Sequence, residues 1–104
     1  MWTLNGHTPV ITEDRIAWRA LIMNVKARRV AFDVVGESRV STVFIALDHS
    51  FLGDGPPILF ETMVFNGKEG ELESRYATWE EAEAGHKQVV EHIRATQKEE
   101  SDKD

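Results

Sequence analysis

A chain of 104 residues, 41% hydrophobic and 29% charged, has the composition of one globular domain with one core. It contains no cysteine, which excludes disulfides and thiolate metal sites and fits a reducing compartment. No apolar run approaches the roughly 20 residues that span a bilayer, and the start, MWTLNGHTPV, lacks the marks of a secretory signal.

These features lead to the expectation of a cytoplasmic protein with no membrane partner. The net charge of −6 is unevenly placed. Residues 1–50 carry six Lys/Arg against five Asp/Glu, whereas residues 51–104 carry six against thirteen. A surface that is basic throughout, as tracking nucleic-acid phosphates requires, is excluded; a local basic patch in the first half is not. The acidic half reads as a solvated helix face followed by a tail.

Residues 1–10 place Trp2, Leu4 and Val10 around an Asn5-Gly6 turn signal, which suits a short strand or hooked arm. Thr12, followed by Glu13 and Asp14, reads as an N-cap. Ile16, Ala20 and Met23 then recur at helical spacing, so an N-terminal helix is predicted to run to about Asn24. Trp18 and Ile22 lie off the centre of that stripe and need other packing, for which a second subunit is one candidate.

Strands follow. Val30–Val35 alternates and stops at Gly36-Glu37. Arg39–His49 is rich in β-formers, with apolar residues on both faces, and is predicted as a central strand covered on both sides. After the breaker Gly53-Asp54-Gly55-Pro56-Pro57 comes a strand over Ile58–Phe65, then an Asn66-Gly67 turn and a more polar edge strand over Glu71–Ala77.

Thr78-Trp79-Glu80-Glu81 is a capping box. Trp79, Ala82, His86, Val89 and Ile93 line one face of the helix it opens, and Val90 widens that face. The fold class is therefore α+β: an N-terminal helix, a four-stranded antiparallel meander and a C-terminal helix packed on the sheet. Residues 1–95 form the single domain, and 96–104 are expected to be a disordered acidic tail.

No motif of high specificity is present: no P-loop, GxGxxG, HExxH or nucleophile elbow. No catalytic residue and no cofactor is assigned. His86 and His92 are six apart on one helix, too far around it to chelate together, so no metal is assigned. Glu61 sits in an otherwise apolar strand and needs a partner, with Arg75 and His86 as the candidates. Asp33 and Asp48 raise the same question more weakly. Arg15 and Arg19, four apart on one helix, could join Arg28, Arg29 and Trp18 in a guanidinium rim with an aromatic platform. The candidate ligand-binding residues are thus Arg15, Trp18, Arg19, Arg28, Arg29, Glu61, Arg75 and His86.

The strings VSTVFIALDHS, PPILFETMVFNG and RYATWEEAEAGH, within roughly residues 28–95, resemble a family of short proteins of unassigned function encoded by tailed phages and prophages. The resemblance carries over no functional residue. It implies a phage (viral) gene product made in the host bacterial cytoplasm, where small accessory proteins of this kind commonly act in counter-defence by binding. The expected function is sequestration, without turnover, of a small anionic ligand such as a nucleotide immune signal, held by a homo-oligomer. One alternative is an anti-CRISPR-like inhibitor docking on a host defence protein through its acidic half. Another is a small hydrolase of the same signal built on Glu61, His49 and His86.

Overall fold

The computed structural model of the chain describes residues 1–48, 55–66 and 69–102. Strands β1 (Trp2–Asn5) and β2 (Thr8–Ile11) pair as an antiparallel hairpin closed by Gly6-His7. The expected N-terminal strand is thus a two-stranded sheet, and it precedes the first helix.

Helix α1 (Arg15–Met23) is capped by Asp14, not Thr12. The Asp14 carboxylate accepts from the Ile16 and Ala17 amides at 3.1 and 3.0 Å, while the Thr12 hydroxyl accepts from the Asp14 amide. The buried face of α1 also differs from expectation. Trp18, Leu21 and Ile22 pack against the core, whereas Ile16 and Met23 remain 84% and 79% exposed. Two apolar stripes compete on this short helix, and the one holding the indole removes more apolar surface from water. Trp18 and Ile22 therefore pack within the chain and need no second subunit.

A single turn, α2 (Val25–Arg28), follows, capped by the Asn24 side chain on the Ala27 amide. Strands β3 (Arg29–Val35), β4 (Ser38–Phe44), β5 (Phe60–Asn66) and β6 (Glu69–Tyr76) then form an antiparallel meander in sequence order, with β6 at an edge as predicted. The β3–β4 turn uses Gly36 at φ +61, a conformation that favours glycine. Where β4 ends and β5 begins, the Ile45 amide donates to the Leu59 carbonyl and the Ile58 amide donates to the Asp48 carboxylate, pinning both ends of the connection. His49, the Gly53-Asp54 part of that loop and Gly67 of the predicted turn lie outside the described residues.

Helix α3 runs from Trp79 to Asp102 and packs on one sheet face. The Thr78 half of its capping box forms, the hydroxyl accepting from the Glu81 amide at 3.1 Å, while the Glu81 carboxylate accepts from that hydroxyl rather than from the Thr78 amide. The helix does not end near 95. Gln97 donates to the Val35 carbonyl at 2.9 Å, and five of residues 95–100, all but Thr96, are good helix formers, so the backbone stays helical past the expected boundary. At its start, Trp79 stacks on His7 of the hairpin, with ring centroids 3.8 Å apart.

Two apolar clusters hold α3 to the sheet. One comprises Phe44, Ala46, Leu59, Phe60 and Ala82, with Trp18 and Trp79 against it; the other is Val35, Val40, Val64 and Val90. The opposite sheet face is not covered as β4 was expected to be. There Phe32, Val34 and Leu72 are exposed, and Val43, Met63 and Phe65 are half-buried.

Candidate functional site

Between the two clusters lies a row of polar side chains, one from each strand of the four-stranded sheet and one from α3. Alternation turns Asp33, Thr42 and Thr62 toward the helix, since each stands between residues that also face inward. Thr42 and Thr62 are register partners, and their hydroxyls lie 2.5 Å apart. His86, four residues from both Ala82 and Val90, presents Nδ1 to Thr42 Oγ1 at 2.7 Å and Nε2 to Asp33 Oδ2 at 2.7 Å. At the other end Thr62 meets the Tyr76 hydroxyl at 3.0 Å.

One proton arrangement satisfies every member. Tyr76 donates to Thr62, Thr62 to Thr42, Thr42 to His86 Nδ1, and His86 Nε2–H to the Asp33 carboxylate. The interior is sealed: Thr42 and Thr62 have no exposed surface and His86 has 2%, while the Asp33 side chain is 46% exposed. A Thr–His–Asp alignment is therefore present, but its hydroxyl cannot meet a substrate. Its role here is to satisfy polar groups inside a small core.

The Tyr76 end opens into a groove of about 610 Å³ between α3 and the β6 side of the sheet. Val64, Val89 and Ile93 supply its apolar part. Ser74, Tyr76, Gln88, His92, Thr96 and Gln97 supply hydrogen-bonding groups, and among the described residues Glu73 is the one carboxylate in the lining. Ser38 and Asn66, also in the lining, bond to each other at 2.5 Å. Gly85 makes this wall possible, because a Cβ there would overlap the Tyr76 ring.

The expected arginine rim does not assemble. Arg15 and Arg19 do come together on the exposed face of α1, beside Ile16, Ala20 and Met23, at a depression of about 460 Å³. Trp18 lies on the buried face of that helix, where its indole N–H donates to the Ala46 carbonyl at 3.4 Å. Arg28 turns inward: Nη1 donates to the Phe44 carbonyl at 3.1 Å, and its buried Nε has no partner among the described residues. Arg29 lies over the Phe32 ring at 4.9 Å.

Glu61 and Arg75 do pair, at 3.6 Å across β5 and β6. Neighbours Phe60 and Thr62 face α3, so Glu61 faces away and the sheet separates it from His86. The combination of Glu61 with His86 is thereby corrected: the imidazole's carboxylate partner is Asp33. Among the described residues no three His, Asp or Glu side chains converge as metal ligands.

Thr42, Thr62, Tyr76 and Gly85 were not singled out from the sequence. A threonine in a strand is an ordinary β-former, and only its inward register and pairing reveal a polar row. No protein-family model, curated protein or solved structure matches the chain.

Proposed function

We propose that this protein holds a small ligand without turning it over, and that the ligand sits in the groove between α3 and β6. The observation that supports this reading is the groove's mixed lining: an apolar floor ringed by amide, hydroxyl and imidazole groups. Among the described residues no lysine or arginine is in that lining, so the chemistry on view favours an uncharged, flat, hydrogen-bonding molecule. The nucleoside portion of a nucleotide signal has this character; its phosphates would have to lie outside the groove. By resemblance to the phage proteins, such sequestration would be a counter-defence step in a bacterial host. Turnover is disfavoured because the one hydroxyl–imidazole–carboxylate set aligned among the described residues is closed to substrate.

The test mixes the protein with nucleosides and with cyclic and ADP-ribose-derived nucleotides, then analyses the heat-released ligand by mass spectrometry. Intact ligand is expected. Gln88→Ala and His92→Ala should each weaken binding about tenfold, the worth of one hydrogen bond, while Arg15→Ala with Arg19→Ala leaves it unchanged. Loss of binding only in the arginine variant would move the site to α1, and altered ligand would mean catalysis.

A second reading rests on charge. Exposed Glu71 and Glu73 on β6 lead to Glu80, Glu81 and Glu83 at the start of α3, an acidic edge suited to a basic surface of a host defence protein. A stable complex dissolved by about 0.5 M salt, with no nucleoside bound, would favour it.

A further inference from the structure

The polar row from Asp33 to Tyr76 has a direction, set at its Asp33 end. A carboxylate only accepts, so the imidazole nitrogen 2.7 Å from it, Nε2 of His86, holds the ring's proton. In the neutral ring Nδ1 is left to accept, and the Thr42 hydroxyl 2.7 Å away spends its one proton there. Thr62 must then donate to Thr42, which leaves it no proton for Tyr76. The Tyr76 hydroxyl, 3.0 Å from Thr62, therefore donates inward. No water interrupts this order from outside, since Thr42 and Thr62 have no exposed surface.

Tyr76 is half-buried and lines the α3–β6 groove where it packs on Gly85. A tyrosine hydroxyl ordinarily gives or takes a hydrogen bond, but with its proton committed to Thr62 this one offers the groove lone pairs only. Ser74, Gln88, His92 and Thr96 can each rotate, flip or change tautomer to suit a ligand, and Tyr76 cannot. The Glu73 carboxylate in the same lining is likewise restricted to accepting when ionised.

We propose that Tyr76 determines the specificity of this groove, selecting a base that presents a ring N–H, of the guanine type, over one of the adenine type. The inference rests on the groove being the nucleoside site. The two bases differ at N1, which bears a proton in guanine and a lone pair in adenine; guanine's 2-amino group adds a second donor, matched to Glu73. An adenine N1 set against the Tyr76 oxygen leaves two acceptors facing each other without a proton, the mismatch a hydrogen-bonding site rejects most strongly. His86 and Asp33 lie outside the groove lining and act through Thr42 and Thr62, as positioning residues that aim the hydroxyl.

The experiment is calorimetric titration of the full chain with guanosine, inosine and adenosine at about pH 8, where an imidazole is ordinarily neutral. Guanosine and inosine should bind about tenfold or more tighter than adenosine. Tyr76→Phe keeps the ring and removes the oxygen, so that preference should largely disappear. His86→Leu should narrow it as well, because the hydroxyls are then free to run in either direction; a purely structural role for His86 would weaken all three nucleosides alike. Asp33→Ala, at the half-exposed end of the row, serves the same purpose if circular dichroism shows His86→Leu unfolded. Nitrogen-15 NMR of the unliganded protein should find the His86 proton on Nε2. Failure of every nucleoside to bind would refute the groove as a nucleoside site and this inference with it. Adenosine binding as tightly as guanosine, a preference unchanged by Tyr76→Phe, or a proton on Nδ1 would overturn the inference alone and leave the binding site standing.

Discussion

Replacing Gly85 by alanine should destabilise this protein, although the same change in an exposed helix ordinarily stabilises it. Alanine inside a helix gains about 1 kcal/mol over glycine. At position 85 the added methyl overlaps the Cε1, Cζ and Oη atoms of Tyr76, which packs directly on the glycine backbone. Relief requires the ring to move, and a moved ring loses its hydrogen bond to Thr62. That bond is worth about 1 kcal/mol, and overpacking costs a further 1–3 kcal/mol. The losses exceed the gain, leaving Gly85→Ala about 1–3 kcal/mol less stable. Urea unfolding followed by circular dichroism would measure the change, with Tm falling about 4–8 °C per kcal/mol. The control is the same substitution made with Tyr76→Ala, where the obstacle is gone and alanine should stabilise by about 1 kcal/mol. A raised Tm for Gly85→Ala alone, or no reversal of sign in the double variant, would refute the packing argument.

Loss of the α3 cap through Thr78→Ala should cost about 1 kcal/mol, since the Glu81 amide loses its acceptor. Hydrogen exchange should then quicken at the first turn of α3 and not at its middle; unchanged stability would contradict the cap. At His86, leucine should be tolerated better than alanine, by about 2 kcal/mol in urea unfolding, because alanine leaves a void among buried groups. In both variants the hydroxyls can reverse, Thr42 donating to Thr62, Thr62 to Tyr76 and Tyr76 to the groove, so equal losses would contradict the void argument.

The elements were legible where one periodic signal stood alone. The α3 stripe had no rival, and its capping box fixed the start, so Ala82, His86 and Val90 are buried as the spacing predicts. The meander was readable from its β-rich runs and the breaks between them, although β4 stops at Phe44, short of the predicted run to His49, because the backbone leaves the extended conformation at Ala46 with φ +61. In α1 two stripes competed, and spacing could not weigh Trp18, Leu21 and Ile22 against Ile16, Ala20 and Met23 without knowing which surface received the helix. The end of α3 was missed for a related reason. Residues 95–98 bury little, but a formed helix propagates more easily than it starts, and Gln97 finds the Val35 carbonyl.

The site was less readable because its decisive quantity is parity. Glu61 and Thr62 are neighbours in sequence, yet one faces the outer sheet surface and the other the core. The unusual-looking carboxylate drew attention, while the threonine beside it carries the buried network. Inward parity could have been counted from Phe60 and Val64 on β5 and from Val40 and Phe44 on β4. That count leaves Thr62 and Thr42 as polar groups in the core and, by the same alternation on β3, Asp33 at its margin, all on the side of the one polar residue of the α3 stripe. Matching Thr42 to Thr62 still required the β4–β5 register, which the long connection between these strands does not fix. The arginines erred in the opposite direction: closeness in sequence suggested a cluster, but a helix face, a single turn and a strand aim Arg15, Arg28 and Arg29 at three different surroundings. Charge counts find a patch only where secondary structure brings the charges to one face, and among these cations it does so for Arg15 and Arg19 alone.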